Sequence, residues 1–479
     1  MKGDDAAANA CYGDDSSIAA FATTPGNSAL TLIRCSGKGV IEMASSIFTP
    51  EIKNVPGNTV IHGWVVSDNE KIDEVLVSIF RAPKSYTGED SLDVCCHGGP
   101  AAGRAVMEVL KTAGFRDALP GEFTFRAFMN GKLDLTKAES VMELVCAKTE
   151  TGRRHAVSRL SGSLEKEINE IKILIVQVLA GAEIYLDYSE DEISADVDEI
   201  AGRLPNREDA LHALERLKRL SASWQLERIF QEGVTVVIAG RPNAGKSSLF
   251  NALLKEDRSI VTEIPGTTRD WIEALVSIEG IPVRLIDTAG LRESADSVEK
   301  IGVQRSRELL KEAELVLYLI DGAQGVTKED RDFYAEYSSA EYGMQKLLLL
   351  LWNKADITPL PREFEFADNK TLSISAKTGD GIAELYAAIV SAIQEQAASG
   401  LQLYDTQPAA AIGTERQKKL VDAAIIALED AISLAEREEP LDLIAPLLRE
   451  AVNTLGEITG EVSTTDILEE MFSRFCVGK

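Results

Sequence analysis

The sequence predicts a multidomain α/β protein: an α+β region at the amino end, then a helical block interrupted by a second, α/β domain. Three observations predict it. Strand-like runs alternate with turns over residues 16 to about 125. Helical periodicity takes over from about 126 to 229 and returns after about 398. Between the helical blocks, over about 230–397, strand and helix patterns alternate around a glycine-rich phosphate loop. A chain of 479 residues has room for about three domains.

The elements follow in order. Ile18–Ala22, Ala29–Ile33 and Val75–Phe80 have the apolar, β-branched character of strands, and residues 100–114 that of a helix. In the first helical block, Ile168, Ile171, Ile175, Val178 and Leu179 recur at helical spacing and line one face. The tail is helical over Leu420–Arg437 and Leu441–Thr454. Helical blocks on both sides of an intact domain imply an insertion, with the blocks packed together. An exposed loop tolerates this when the inserted domain's ends lie close together. The expected division is 1–125, 126–229, 230–397 and 398–479. There is no internal repeat and no low-complexity segment.

Residues 240–248 read Gly-Arg-Pro-Asn-Ala-Gly-Lys-Ser-Ser, the full phosphate-loop pattern. The apolar run Val234–Ala239 precedes it and a helix-like stretch, Leu249–Leu254, follows, which is the context the motif needs. Its backbone N–H groups face a phosphate at the positive end of a helix. Asn243, Ala244, Gly245, Lys246, Ser247 and Ser248 form the cradle, with Lys246 on the β- and γ-phosphates and Ser247 on Mg²⁺. The base is chosen elsewhere. Asn353-Lys354-Ala355-Asp356 ends the apolar run Leu347–Trp352, and a carboxylate at Asp356 accepts from N1 and N2 of guanine. Adenine would leave it unpaired, at a cost of several kcal/mol, about the discrimination such polar sites reach. Ser375-Ala376-Lys377 fits the loop that completes a guanine pocket. Thr267-Thr268 and Asp287-Thr288-Ala289-Gly290 fall between these motifs in the order a GTP-binding domain requires.

Leu291 follows that Asp-x-x-Gly, where Ras-like proteins carry the Gln that orients the attacking water. Leucine has no polar group for this, so hydrolysis is slow or another group holds the water. Arg292, Glu293, Asp296 and Glu299 are near enough in sequence. Glu299 is spaced to swing in when the loop orders; equally, it is a solvated charge at the start of a helix over Val298–Lys311. A monovalent cation can replace the missing arginine finger. The Asn243 side chain and the carbonyls of Thr262, Ile264 and Thr267 offer it a cage.

The net charge of −27 argues against non-specific nucleic-acid binding. Lys148, Arg153, Arg154 and Arg159 are either a local basic patch or a solvated helix face. No apolar run reaches the 18 or more residues of a membrane span. The acidic start is neither a signal peptide nor a transit peptide. The six cysteines show no Cys-x-x-Cys spacing, which fits a reduced, cytoplasmic protein, and Cys95 and Cys96 read as buried thiols in a strand. Cys476, four residues from the end, is either a redox or nucleophilic thiol or a half-buried helix-end cysteine. Its context is not that of a prenylation site.

The flanking segments carry a resemblance. Tyr86-Thr87-Gly88-Glu89-Asp90, His97-Gly98-Gly99-Pro100, Pro120–Thr124, Arg126-Ala127-Phe128, Asn130–Leu135 and the ending Cys476-Val477-Gly478-Lys479 make the chain similar to the MnmE (TrmE) family of tRNA-modification GTPases. The similarity runs from about Ser16 to Lys479. It implies a Ras-like P-loop GTPase domain inserted in a helical domain, preceded by an α+β domain that dimerises and binds a tetrahydrofolate derivative, in the 5,10-methylene or 5-formyl form. It implies K⁺-stimulated hydrolysis of GTP. It also implies a heterotetramer with the flavoprotein MnmG, which holds FAD, and an aminomethyl-type group built on C5 of the wobble uridine, U34, of tRNA. Carried over by position, Arg34, Lys132 and Lys479 match folate-contacting residues, and Asp93 stands where the family commonly has Glu. Asn243, Thr262, Ile264 and Thr267 match potassium ligands, Ser247 and Thr268 Mg²⁺ ligands, and Glu299 the water-orienting Glu. Arg34 and Lys132 are suited to folate carboxylates. Thr24–Ala29, Phe125 and Pro265 depart from the family pattern. The competing reading is a regulatory or assembly GTPase that binds RNA or ribosome and does no carbon chemistry. The phosphate loop, guanine motif and Leu291 fit both readings; the amino-terminal pattern and Cys476 fit only the first.

Overall fold

Two compact units emerge in a computed structural model, which describes residues 12, 14–24, 26–187, 204–256, 272–287, 308–337, 347–361, 366, 371–396, 410–462 and 465–478. One unit comprises Met1–Met142, Arg159–Leu217 and Lys419–Lys479; the other comprises Glu143–Ser158 and Lys218–Lys418.

In the first unit the early strand-like runs become a seven-stranded sheet. Its strands are β1 (Ile18–Phe21), β2 (Leu30–Ser36), β3 (Phe48–Thr49), β4 (Thr59–Ser67), β5 (Glu70–Phe80), β6 (Ser91–His97) and β7 (Arg116–Asp117). The order is β3-β4-β5-β6-β2-β1-β7. Period-two alternation decides the faces. Val75, Val77 and Ile79 of β5 and Ile33 and Cys35 of β2 are buried in a core shared with the helix Pro100–Thr112. The opposite face carries Leu76 and Val60, which are exposed, and the side chains of Arg34 and Asp93.

The helical part of this unit includes the helix Glu122–Met129, a long helix over Ser163–Asp187, the tail helices over Leu441–Thr459 and Thr465–Ser473, and the helix Glu415–Glu436 from Lys419 onward. Ile168, Ile171, Ile175 and Val178 are fully buried on one face of the long helix, which packs against Leu441–Thr459. Leu179 departs from expectation: one position past Val178, it turns toward the flank and is only half-buried. The last helix brings Phe472 and Phe475 into a cluster with Phe125, Leu135 and Leu468. Phe125, at a departure from the family pattern, is therefore a core residue, edge-on to Phe472 at 5.5 Å.

The second unit holds a six-stranded sheet of β8 (Val234–Gly240), β9 (Ile272–Ile278), β10 (Ile281–Asp287), β11 (Leu315–Asp321), β12 (Leu347–Asn353) and β13 (Thr371–Ser373). Its order is β13-β12-β11-β8-β10-β9, parallel except for the β9–β10 hairpin. The leucine-rich β11 and β12 lie between helices that cover both faces, so continuous apolar runs serve as strands. The arginines expected as a basic patch fall in this unit, Arg159 excepted. Arg153 and Arg154 both bond Glu150, and Arg159, in the other unit, is buried. These three do not form one exposed cationic face. No helix among the described residues is long and apolar enough to cross a membrane.

Candidate functional site

In an open parallel sheet, ligands bind beyond the carboxyl ends of the strands. Every described guanine-nucleotide motif lies there: the phosphate loop after β8, Asp287 at the end of β10, Asn353 at the end of β12 and Ser375 just after β13. Sheet order, not sequence distance, gathers them.

The phosphate loop leads into the helix Lys246–Glu256. Asn243 takes φ 61° and Gly245 φ 101°. A Cβ on Gly245 would lie 2.2 Å from Asn353 Nδ2, so only glycine lets the guanine motif close on the loop. Asn353 is the link between the two. Its Nδ2 donates to the Ala244 carbonyl at 2.7 Å, and its Oδ1 accepts from the Ala376 N–H at 3.0 Å. One buried amide thus joins the phosphate loop to the loop expected to complete the base pocket. Lys246 donates to the carbonyls of Gly240 (2.9 Å) and Arg241 (2.8 Å). Ser247 Oγ donates to the fully buried Asp287 carboxylate at 2.8 Å. These hard oxygens fit the donor set of a Mg²⁺ site. Ser248 is exposed on the first turn of that helix.

On the base side, Asp356 is exposed and accepts from Ser375 Oγ at 2.7 Å. Lys354 takes φ 66° and reaches Asp321 Oδ2 at 2.7 Å. Lys377 is exposed. Thr262, Ile264, Thr267, Thr268, Thr288, Ala289, Gly290, Leu291, Arg292, Glu293, Asp296, Glu299 and Lys479 lie outside the described residues. Of the expected potassium ligands, only Asn243 is described, and it is exposed.

The first unit gathers a second set. Arg34 and Asp93 sit directly opposite each other on β2 and β6. They form a two-pronged pair, with Nε to Oδ1 at 3.0 Å and Nη2 to Oδ2 at 3.3 Å. Arg34 therefore meets any ligand carboxylate as part of an ion pair, with its Nη1 edge to offer. Its guanidinium lies 5.8 Å from the centre of the Tyr86 ring. Two residues on, a Cβ on Gly88 would touch Lys132 Cγ at 3.4 Å, so the Tyr86–Gly88 loop lies between Arg34 and Lys132. Lys132 Nζ donates one bond, to the Pro83 carbonyl at 2.9 Å.

The end of the chain comes to the same sheet. The Cys476 carbonyl accepts from Gly121 N–H at 3.3 Å. Gly478 packs so closely on β1 that a Cβ there would lie 2.4 Å from the Phe21 carbonyl. Phe21 neighbours Ala20, the register partner of Arg34. The Cys476 thiol is exposed, so the half-buried alternative does not hold. By contrast Cys35 and Cys96 are buried, and burial pushes the Cys96 thiol up to about 11, too high to ionise near neutrality. Cys95 is a correction: its side chain points to the outer face of β6 and is only half-buried.

Sequence reasoning missed three residues that shape the first site. Arg241 in the phosphate loop donates to Asp330 at 3.1 Å, and Asp321 receives Lys354. No motif signals these carboxylates; only the polar ends of apolar runs hinted at Asp321.

The family model of the MnmE helical domain matches residues 135–476, and that of the GTP-binding protein TrmE N-terminus matches 17–132. The tRNA modification GTPase MnmE of Treponema denticola is 43% identical over 473 residues, covering 96% of this chain and 98% of that protein. Its namesakes from Carboxydothermus hydrogenoformans and Aquifex aeolicus are 40% and 38% identical, covering 97% and 96% of this chain and 100% and 99% of theirs.

Proposed function

The chain belongs to the MnmE family of tRNA-modification GTPases and is a GTP hydrolase. From that premise we propose that it is a K⁺-stimulated GTPase that acts with the flavoprotein MnmG. Together they install an aminomethyl or carboxymethylaminomethyl group at C5 of U34 in tRNA, drawing one carbon from a tetrahydrofolate. The observation that carries the GTP half is the Asn353 amide bridging Ala244 and Ala376. It links the phosphate loop to the loop expected to complete the base pocket, which supports a site that reads both ends of a guanine nucleotide.

The roles divide by chemistry. Lys246 exchanges its two carbonyl partners for β- and γ-phosphate oxygens, a charge-assisted and stronger pairing. Ser247 and Thr268 hold Mg²⁺, with Asp287 behind Ser247. Mg²⁺ neutralises phosphate charge, and K⁺ at Asn243 supplies the positive charge of the absent arginine finger. Asp356 reads the guanine edge, and Glu299 orients the water because Leu291 has no polar group.

Arg34, Lys132 and Lys479 hold the folate carboxylates and Cys476 acts beside them. This is supported by the Tyr86–Gly88 loop between Arg34 and Lys132 and by the Gly478 contact next to Arg34's register partner. The exposed apolar outer face around Val60 and Leu76 supports self-association of this domain into a homodimer. Within the two compact units we propose four domains, divided at about 125, 229 and 397.

The test is mass spectrometry of tRNA nucleosides from cells lacking this gene. We expect loss of the C5-aminomethyl-type modification, restored by the native chain but not by Cys476→Ser. Unchanged nucleosides, with no redundant enzyme present, would leave the assembly-GTPase reading in its place.

A further inference from the structure

A buried carboxylate from the neighbouring strand-to-helix turn grips the phosphate loop. Asp330 is 1% exposed and stands in the first turn of the helix Lys328–Tyr337. Its Oδ2 accepts from the Thr327 N–H and Oγ1–H, both at 2.8 Å. That pair of bonds caps the helix. Capping uses only one oxygen. The other, Oδ1, accepts from Arg241 Nε at 3.1 Å and from the Tyr318 hydroxyl at 2.9 Å. Burial, then the charge of Asp330, hold the Tyr318 phenol protonated and so fixed as a donor.

Arg241 is held at all three nitrogens. Nη1 donates to Gln324 Oε1 at 3.0 Å and Nη2 to the Gly325 carbonyl at 3.3 Å. The same turn also grips the guanine motif. Gly322 N–H donates to the Asn353 carbonyl at 2.9 Å, and Asp321 receives Lys354. The turn from Asp321 to Thr327 therefore ties the phosphate loop to the base loop, in addition to the Ala244–Asn353 bond.

We infer that Asp330 is a positioning residue for the phosphate loop: by clamping Arg241 it sets the Arg241 carbonyl that, with the Gly240 carbonyl, holds Lys246. It touches no nucleotide itself. Without the clamp the loop backbone is free to relax, and phosphate-derived affinity falls while recognition of the base does not. The inference rests on the phosphate-cradle reading of residues 240–248.

The experiment uses the full chain with Asp330→Asn, Arg241→Gln and the double variant. Affinity for fluorescent GDP is measured directly, affinity for guanosine by competition, and the melting temperature alongside. Arg241→Gln leaves the helix cap and the buried Tyr318 contact in place and keeps the test interpretable should Asp330→Asn fold poorly. Each single variant is expected to raise the GDP Kd roughly tenfold, with guanosine affinity within about twofold of native and the double variant no worse than the worse single, as coupled partners behave. Unchanged GDP affinity in Arg241→Gln would overturn the inference. So would parallel losses for GDP and guanosine together with a fall in melting temperature, which marks a purely structural role. Failure of the native chain to bind GDP would instead refute the phosphate-cradle reading beneath it.

Discussion

Replacing Asn353 by alanine removes two buried hydrogen bonds at once. The Ala244 carbonyl loses its 2.7 Å donor and the Ala376 N–H its 3.0 Å acceptor, at a position 2% exposed. A buried group left unsatisfied costs about 1–3 kcal/mol. Two of them amount to roughly 2–6 kcal/mol, since water reaches the vacated space only in part. The loss falls on the closed arrangement that binds nucleotide, so it should appear mainly in affinity. At about 1.4 kcal/mol per factor of ten, GDP binding should weaken by between about 30-fold and about 20,000-fold. Titration of fluorescent GDP into the full chain measures this, with a thermal melt to separate global unfolding. Asn353→Asp should be no better: it keeps an acceptor toward Ala376 but turns a carboxylate oxygen on the Ala244 carbonyl. Binding within twofold of native in Asn353→Ala would refute the view that this amide couples phosphate and base recognition.

Further outcomes follow from the same geometry. GTP turnover should be faster in K⁺ than in Na⁺, and Glu299→Ala should keep GTP affinity while losing turnover; equal rates in the two salts would remove the cation from the mechanism. Gly121→Ala places a methyl 2.7 Å from the Phe472 carbonyl and 2.8 Å from Phe475 Cβ, at φ 67°. It should loosen the chain end, seen as faster thiol labelling of Cys476, and an unchanged labelling rate would show that the tail is held by other contacts. His97 Nδ1 lies 2.7 Å from Asp73 Oδ1, and that hydrogen bond and charge raise its pKa above the ordinary 6.5. A raised folded pKa means the contribution is fully present below about 6.5 and fades as pH rises through the folded value. NMR titration of the imidazole should therefore give a value above 6.5 that Asp73→Asn lowers.

What the residues disclosed and what they withheld divides along the range of the interactions. The phosphate loop, its flanking strand and helix, and the guanine motif were legible because each is local: spacing of a few residues creates the chemistry. The face of the long helix through Ile168, Ile171, Ile175 and Val178 was legible for the same reason, since period alone sorts inside from outside. Local pattern misplaced Leu179 and Cys95, because it cannot say how wide a buried stripe is or which face of a strand is covered.

Long-range pairing decided the remainder. Arg34 read as a free cation for a ligand carboxylate, yet register across β2 and β6 sets it against Asp93, 59 residues away. Arg241 read as an unremarked loop position, yet the turn after β11 brings Asp330 to it across 89 residues. The chain end was placed beside the folate by resemblance alone; packing of Phe472 and Phe475 on Phe125 and Leu135 anchors it, and Gly478 lies against Phe21 of β1. Sequence by itself determined which chemistry the protein owns, since short motifs bring their own geometry. Tertiary structure alone decided which of its charges are already spoken for, because an ion pair between distant residues exists only once strand order and helix packing have closed the distance.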